Sequence, residues 1–502
     1  MAMKKTVVVM GGGPAGLTAA FELISSGNTH VVLVEQESQV GGISRTVEHN
    51  GNRMDIGGHR FFSKSDTVID WWLKMFPLQG QAPGGDPDKV MLIRHRLSRI
   101  LYMRKFFDYP VTLSWSTITS LGFIRCFFIG FDYLLALLFP IRPERSLEDF
   151  FINRFGKKLY QLFFRDYTHK VWGVPCGRIA ADWGAQRVKG LSIMRVLRHA
   201  VLSLFRKNGG IGQKKIDTSL IEQFLYPKFG PGQLWETVAD KISESGGQVL
   251  LRHTVTGMEM TDGQVSGVHV KNNVTGEASL FRCSAAISTL PIKELIPMLE
   301  SSPASVREVS DGLIYRDLIT VGLLCARLRT GAEDKENGPP IRDNWIYVQE
   351  ADVHLGRIQI FNNWSPWLVK NPDNTWLGLE FFATEGDALW RTPDEDFIQM
   401  AINELRALGF ITPEDVLDST ILRVKKAYPA YFGSYPEMQV IRDYLNSIPN
   451  LYPVGRNGMH RYNNMDHSML SAMQAAACIN DPVLDKKAIW EINEEREYHE
   501  SK

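Results

Sequence analysis

Cysteine is scarce. The five in this 502-residue chain, Cys126, Cys176, Cys283, Cys325 and Cys478, lie far apart, with no Cys-x-x-Cys pair. That spacing suits neither a disulfide framework nor a cysteine metal site, and a reducing cytosol is the natural compartment. Excess charge is missing as well. Lys+Arg and Asp+Glu stand at 56 each, so no global basic field argues for nucleic acid as a partner. There is no Gly-x-Ser-x-Gly elbow and no His-Glu-x-x-His helix, consistent with a chemistry that needs no side-chain nucleophile. The early lysines lead into an apolar run that ends at glycine after four residues, which reads as a strand and not as a signal peptide. A clean membrane-spanning run is also absent. Leu121 to Pro140 comes nearest, but Arg125 and Asp132 interrupt it, and a spanning helix wants about 20 clean apolar residues. A buried helix is expected there, with shallow insertion at a membrane surface as the alternative. Residues 191–215, basic and amphipathic through Arg195, Arg198, Arg206, Lys207, Lys214 and Lys215, keep peripheral contact with the inner face of a membrane open.

What the chain does have begins at Val7-Val8-Val9-Met10-Gly11-Gly12-Gly13-Pro14-Ala15-Gly16, followed by a helical stretch to Ser25. A β-branched run into Gly-x-Gly-x-x-Gly reads as strand, tight turn and helix. Gly11 makes the turn, Gly13 lets a pyrophosphate approach the backbone, and Gly16 lets helix and strand close up. The helix, opened by Pro14 and Ala15, presents unpaired N–H groups and its positive dipole end to the anion. Taken alone such a turn is weak evidence. Val31 to Val34 strengthens it as a second strand, running into Glu35 and Gln36 about 20 residues on, where an acid grips a ribose hydroxyl. Val40-Gly41-Gly42-Ile43-Ser44-Arg45 then sets a glycine pair and Arg45 beside the pyrophosphate. That second pair resembles the signature of FAD-binding oxidases with a glutathione-reductase-like nucleotide fold, and the resemblance implies a bound FAD.

Further along, residues 111–219 read as mainly helical and rich in Leu, Phe and Arg. Strand character returns at 247–251 and 253–258, both expected in the nucleotide sheet, and again at 264–271 and 285–288. A second sheet is expected from 318–326, 345–348, 357–362 and 376–382, with helices at about 394–408 and 435–446. A short strand at 451–456 and a helix from about Ser468 close the chain. The expected fold is α/β: a Rossmann-type FAD domain built from residues 1–110, 220–300 and 447–502, carrying an inserted helical lobe (111–219) and an inserted antiparallel-sheet lobe (301–446). The ligand cleft belongs where the lobes meet the flavin.

Asp55-Ile56-Gly57-Gly58-His59-Arg60-Phe61-Phe62 is the next informative cluster. Paired glycines let backbone approach a flat ring system, and a histidine held there tunes a flavin or simply occupies a surface turn. Three more patches follow in order. They are His169-Lys170-Val171-Trp172-Gly173 with Trp183-Gly184-Ala185-Gln186-Arg187-Val188, Gly356-Arg357 through Trp364, and Ala427-Tyr428-Pro429 with Gly455-Arg456 through Tyr462 to Met465-Asp466-His467-Ser468. Together around a GGH turn they resemble the flavin-dependent UDP-galactopyranose mutases, particularly the longer eukaryotic-type members, within the wider amine oxidase and protoporphyrinogen oxidase group.

The resemblance implies an isomerase of surface-glycan synthesis in the cytoplasm. Its reduced FAD, replenished by NADPH or NADH, would attack the anomeric carbon of a phosphate-activated sugar through flavin N5, with no net redox. His59 resembles the flavin-adjacent histidine, and Arg187 and Arg357 the pair of diphosphate-binding arginines, a task suited to a permanently charged, forked guanidinium. Tyr347, Tyr428 and Tyr462 fall where family tyrosines meet the diphosphate, with Phe62, Tyr109 and Trp172 also toward the substrate. Arg456 resembles the arginine near the ribityl and pyrophosphate of FAD, and Gly57, Gly58, Val255, Gly455, Met465, Asp466 and Ser468 complete the cofactor set. Two departures stand out. Trp364 replaces a family tyrosine in the substrate set, and Val111 and Thr112 follow Tyr109-Pro110 where the family carries the phenylalanine and glutamine associated with uridine. The substrate implied is therefore open to another sugar, another nucleotide or a lipid-linked sugar phosphate. An FAD oxidase or desaturase working on an apolar substrate is the alternative.

Overall fold

A computed structural model describes residues 5–81, 84–109, 115–181, 183–184, 222–329 and 341–492. Strand β1 (Lys5–Met10), helix α1 (Pro14–Ser25) and strand β2 (Thr29–Val34) form as the glycine pattern requires. They sit in a five-stranded sheet in the order Leu451–Pro453, Ala285–Ser288, β1, β2, Gln248–Leu250, with every pairing parallel. Val7, Val8 and Val9 are wholly buried, the mark of a strand covered on both faces. Gly16 is needed for the close approach, because a Cβ there would lie 1.9 Å from the Gly11 carbonyl oxygen. The helix Met465–Asn480 packs beside α1 and brings a second helix N-terminus near the first.

The second sheet has seven strands, in the order Val416–Gly433, Leu313–Cys325, Thr375–Ala383, Arg357–Ile360, Trp345–Val348, Ser98–Tyr102, Lys105–Asp108. Its period-two pattern assigns two jobs to two faces. Ile346, Ile358, Leu379 and Phe381 pack under the helix Asp394–Ala407, against Phe397, Ala401 and Leu405. The opposite face turns Tyr347, Arg357 and Glu380 toward the rest of the molecule. These three are directly paired across neighbouring strands, Tyr347 with Arg357 and Arg357 with Glu380.

Several expectations are corrected. The strand at 253–258 does not rejoin the nucleotide sheet. An Asp262-Gly263 turn, with φ of 51° and 72°, folds His253–Thr261 back on Gln264–Asn272, and Ala278–Arg282 completes a separate three-stranded sheet. The strands at 98–108, expected in the nucleotide fold, edge the seven-stranded sheet instead. Arg357–Ile360 ends where Phe361–Trp364 turns helical, and the closing helix starts at Met465, ahead of Ser468.

The apolar segment forms α2 (Phe123–Leu138), and the expectation of a buried helix fails. Only Ile129 and Ala136 are buried, while Ile124 is 77% exposed and Phe127 72%. Among the described residues no helix is long and apolar enough to cross a membrane. Residues 191–215 lie outside the described residues.

Candidate active site

The nucleotide cradle is built where β1 and β2 end. A Cβ on Gly13 would meet nothing closer than the Gly42 Cα, 3.8 Å away, so the two glycine turns leave backbone open to a ligand. Gly41 N–H donates to the Gly12 carbonyl at 2.8 Å and locks the turns together. No side chain caps α1, whose N-terminal donors remain for an anion. Glu35 is buried and accepts from the N–H of Gly12 at 2.7 Å and of Glu37 at 2.9 Å. Burial raises its pKa, while those two N–H donors pull it back down. The first residues of the strand carrying Val255 bond to this corner, with His253 N–H on the Glu35 carbonyl, and Asn273 reaches the Gln36 carbonyl. Arg45 Nη1 returns to the Gly42 carbonyl at 3.3 Å.

From that cradle the path leads to the GGH turn. Ser44, two residues past Gly42, lies 3.4 Å from His59 Nδ1, and His59 Nε2 lies 2.7 Å from the Ile56 carbonyl. That short contact makes Nε2 the protonated nitrogen and Nδ1 the acceptor. Burial first, then the charges of Arg456 and Arg357, push the His59 pKa down to about 4, so its imidazole is neutral at working pH. Gly58 is required by packing, since a Cβ would lie 2.6 Å from the Trp345 ring.

Opposite the turn stands an array of rings and guanidinium groups. Arg357 is 8% exposed, and its Nη2 donates to the Tyr428 hydroxyl at 2.7 Å and lies 2.6 Å from Glu380 Oε2. Burial disfavours the Arg357 charge, but Glu380 and the surrounding tyrosines keep it protonated well above its ordinary range. Gln359 Nε2 donates to the other Glu380 oxygen at 2.8 Å. Burial pushes Tyr428 up to about 12. Because that phenol accepts from Arg357, its own proton is available to a ligand oxygen. Tyr462 stacks on Tyr428 with centroids 5.5 Å apart, and Arg456 lies over Tyr462 at 4.6 Å, held by the carbonyls of Asn463 and Ala427. A second set of rings runs from Trp345 to Tyr347 at 5.5 Å and on to Tyr109 at 4.7 Å. Buried Nε of Arg357 and indole N–H of Trp345 have no hydrogen-bond partner among the described residues. The Arg357 guanidinium itself is packed between the rings of Trp345, at 5.0 Å, and Phe382, at 4.6 Å.

The structure thus brings together His59, Arg357, Tyr428, Tyr462, Arg456, Tyr347 and Tyr109. Gly455, packed on Ala15, and the N-terminal turn of Met465, Asp466 and Ser468 flank the cradle, with Asp466 accepting from Ser63 at 3.0 Å. Two residues named for the substrate are elsewhere. Trp364 is wholly buried, donates to the Asn344 carbonyl and backs Trp345, so it is core. Trp172 is buried behind Tyr462. Phe62 is half-buried beside the Phe61–Leu225 bridge. Arg187 lies outside the described residues.

Sequence reasoning missed Tyr167, Trp345, Glu380 and Lys170. Tyr167 packs edge-on to Tyr347 at 5.7 Å, and burial raises its pKa well above the usual value. Lys170 donates to the carbonyls of Val348, Glu350 and Leu355 and so pins the loop that joins the two site strands; burial lowers it to about 8. Glu380 had a legible signal, a lone acid in Thr375-Trp376-Leu377-Gly378-Leu379-Glu380-Phe381-Phe382. A carboxylate in so apolar a strand needs a buried cation.

A parallel sheet with a glycine cradle, joined to an aromatic cleft at a GGH turn, defines a dinucleotide-dependent enzyme of the flavoprotein type. The family model for flavin containing amine oxidoreductase matches residues 14–480, and the chain belongs to that family, which implies an FAD-type cofactor. The cradle described above fits such a group. Among solved structures, a reduced UDP-galactopyranose mutase aligns over 97% of this chain and 96% of its own, at 22% identity and TM-score 0.75. A provisionally assigned protoporphyrinogen oxidase from Exiguobacterium sp. 255-15 aligns over 98% and 100%, at 16% identity and TM-score 0.67. A CLA-producing fatty acid isomerase from P. acnes aligns over 96% and 99%, at 14% identity and TM-score 0.58. These likenesses establish the fold. An uncharacterized protein in the nifH2 3′ region of Methanothermococcus thermolithotrophicus is 40% identical over 63 residues, 12% of this chain and 60% of that protein's length. The chain therefore spans less than two thirds of that relative.

Proposed function

We propose that this chain is a flavin-dependent pyranose–furanose mutase acting on a sugar activated by a phosphate or diphosphate leaving group. The observation that carries the reading is the array of Arg357, Tyr428, Tyr462 and Arg456 facing the GGH turn. Bound in reduced form, with NADPH or NADH as outside reductant, FAD supplies the nucleophilic N5 and the reaction ends with no net change of redox state. The chain's own residues do the rest. Arg357, with Arg187, neutralises the phosphate as it departs. The Tyr428 hydroxyl donates to a phosphate oxygen while Arg357 holds the ring in place. Tyr109, Tyr347 and Trp345 form an apolar wall that orients the sugar carrier and excludes water. Neutral His59, held by the Ile56 carbonyl and Ser44, keeps the GGH turn rigid and uncharged beside the flavin.

A nucleotide sugar and a lipid-linked sugar phosphate both satisfy this chemistry, and a cytoplasmic setting suits either. An oxidase of an apolar substrate is the second reading, favoured by the bare apolar surface of α2 beside the cleft. Dithionite-reduced protein incubated with a panel of pyranosyl donors, followed by NMR for the furanose, tests the proposal. Arg187→Ala and Arg357→Ala should each retain flavin and lose turnover; full activity in either removes that arginine from the phosphate site.

A further inference from the structure

We propose that the outward face of α2 is a docking surface for an anionic lipid bilayer, on which the helix lies in the headgroup plane. Phe123, Ile124, Phe127, Phe131, Leu134 and Leu138 are between 55% and 77% exposed. At 3.6 residues per turn, the exposed apolar positions cover about half of the helix circumference. Neither charge of the helix falls on that face. Asp132 accepts from the Lys158 N–H at 2.7 Å, and Arg125 reaches back to the Met103 sulfur at 3.4 Å. What remains is a continuous hydrocarbon surface with no polar atom to pair.

The rim is cationic. Lys158 holds its ammonium 5.5 Å from the centre of the Phe128 ring, at the border of the apolar face. Lys157 beside it is exposed, as are Arg142 and Arg145 just past the end of the helix, Arg145 next to Asp149, while Glu144 is paired with Arg154 at 2.7 Å. Lysine at an apolar border is how a side chain reaches acidic headgroups while its stem stays in hydrocarbon. A helix packed on one neighbour shows a stripe of about 100°; with Phe128, Leu135 and Leu137 also exposed, this face is wider and matches a fluid surface. With 16 residues the helix is too short to cross and long enough to lie flat.

The placement matters for the site. Ile129, on the inner side of α2, is buried with Ile100, Phe107 and Phe163, and Tyr109 and Tyr347 pack against that same cluster. One apolar cluster thus lies between the docking face and the Tyr109–Tyr347 wall. The docking stands apart from the reaction proposed above and survives its failure.

Vesicle flotation of the full-length, flavin-loaded protein tests this. Wild type should float with mixed phosphatidylglycerol–phosphatidylcholine vesicles and more weakly with phosphatidylcholine alone. Phe127→Glu combined with Leu134→Glu should lower partitioning at least tenfold with an unchanged flavin spectrum, and Lys157→Glu with Lys158→Glu should abolish the preference for phosphatidylglycerol. As a check that needs no loss of function, Phe127→Trp should be quenched by lipids brominated on their acyl chains. Wild type left at the bottom of the gradient overturns the proposal, as does a doubly charged variant that floats like wild type. A wild-type dimer that ignores vesicles and dissociates on Phe127→Glu would assign the face to a second copy, and overturns it too.

Discussion

Removing the Glu380 carboxylate should cost both stability and turnover, by separable routes. Its Oε2 lies 2.6 Å from Arg357 Nη2 and the side chain has no exposure to solvent. At an effective dielectric of about 20, such a separation is worth roughly 6 kcal/mol of attraction, much of it offsetting the cost of burying both charges. Breaking a buried pair by deleting one partner costs about 3–5 kcal/mol, because the other charge is stranded. Glu380→Gln keeps the shape and an acceptor for Gln359, so the lower end applies, and the loosened Arg357 should cost turnover as well. Urea unfolding followed by tryptophan fluorescence measures the first effect, and substrate conversion the second. Arg357→Met combined with Glu380→Met should recover most of the stability and none of the activity. A Glu380→Gln protein within about 0.5 kcal/mol of wild type, a range ordinary for surface changes, would refute the ion-pair argument.

Gly13→Ala should fold, since its Cβ meets only Gly42 at 3.8 Å, yet purify colourless because the methyl blocks the approach of a pyrophosphate; circular dichroism and the visible spectrum check both halves. Tyr428→Phe loses the acceptor of the 2.7 Å bond from Arg357 and should lower turnover about 10²-fold with flavin retained, as loss of one oriented donor does. His460 is buried, its Nε2 is 2.9 Å from the Ala430 carbonyl, and burial pushes its pKa down to about 4. Its imidazole stays neutral in the fold while the unfolded chain takes up a proton near pH 6.5. It therefore removes up to about 3 kcal/mol of stability as pH falls from 6.5 to 4. His59, buried and pushed to about 4 as well, adds a like dependence, so His460→Gln should roughly halve the slope in urea titrations run across that window; an unchanged slope would contradict the buried, neutral ring.

The nucleotide half was legible because its signals are local. Val7–Gly16, the strand ending at Glu35 and the pair Gly41–Gly42 each carry their own geometry, and the helix at 394–407 follows its apolar period. The rest depends on what lies across space. The 18-residue strand Val416–Gly433 was read only at Tyr428, because Lys425, Lys426 and Pro429 break its alternation and register shifts near Arg316 bend it. Glu380 meets Arg357 only through strand register, and Tyr167 reaches Tyr347 from a different lobe. Composition likewise could not tell a core helix from α2, since both are built of Phe and Leu.

Electron counting against product tests the central claim most directly. Protein reduced once with a single equivalent of dithionite under anaerobic conditions is given an excess of a phosphate-activated pyranose, and furanose is counted by NMR against the flavin absorbance. The mutase reading predicts many furanose molecules per flavin, with the absorbance staying that of reduced FAD. Turnover that stops at one product per electron pair, or that starts only when oxygen or a quinone is admitted, would contradict it.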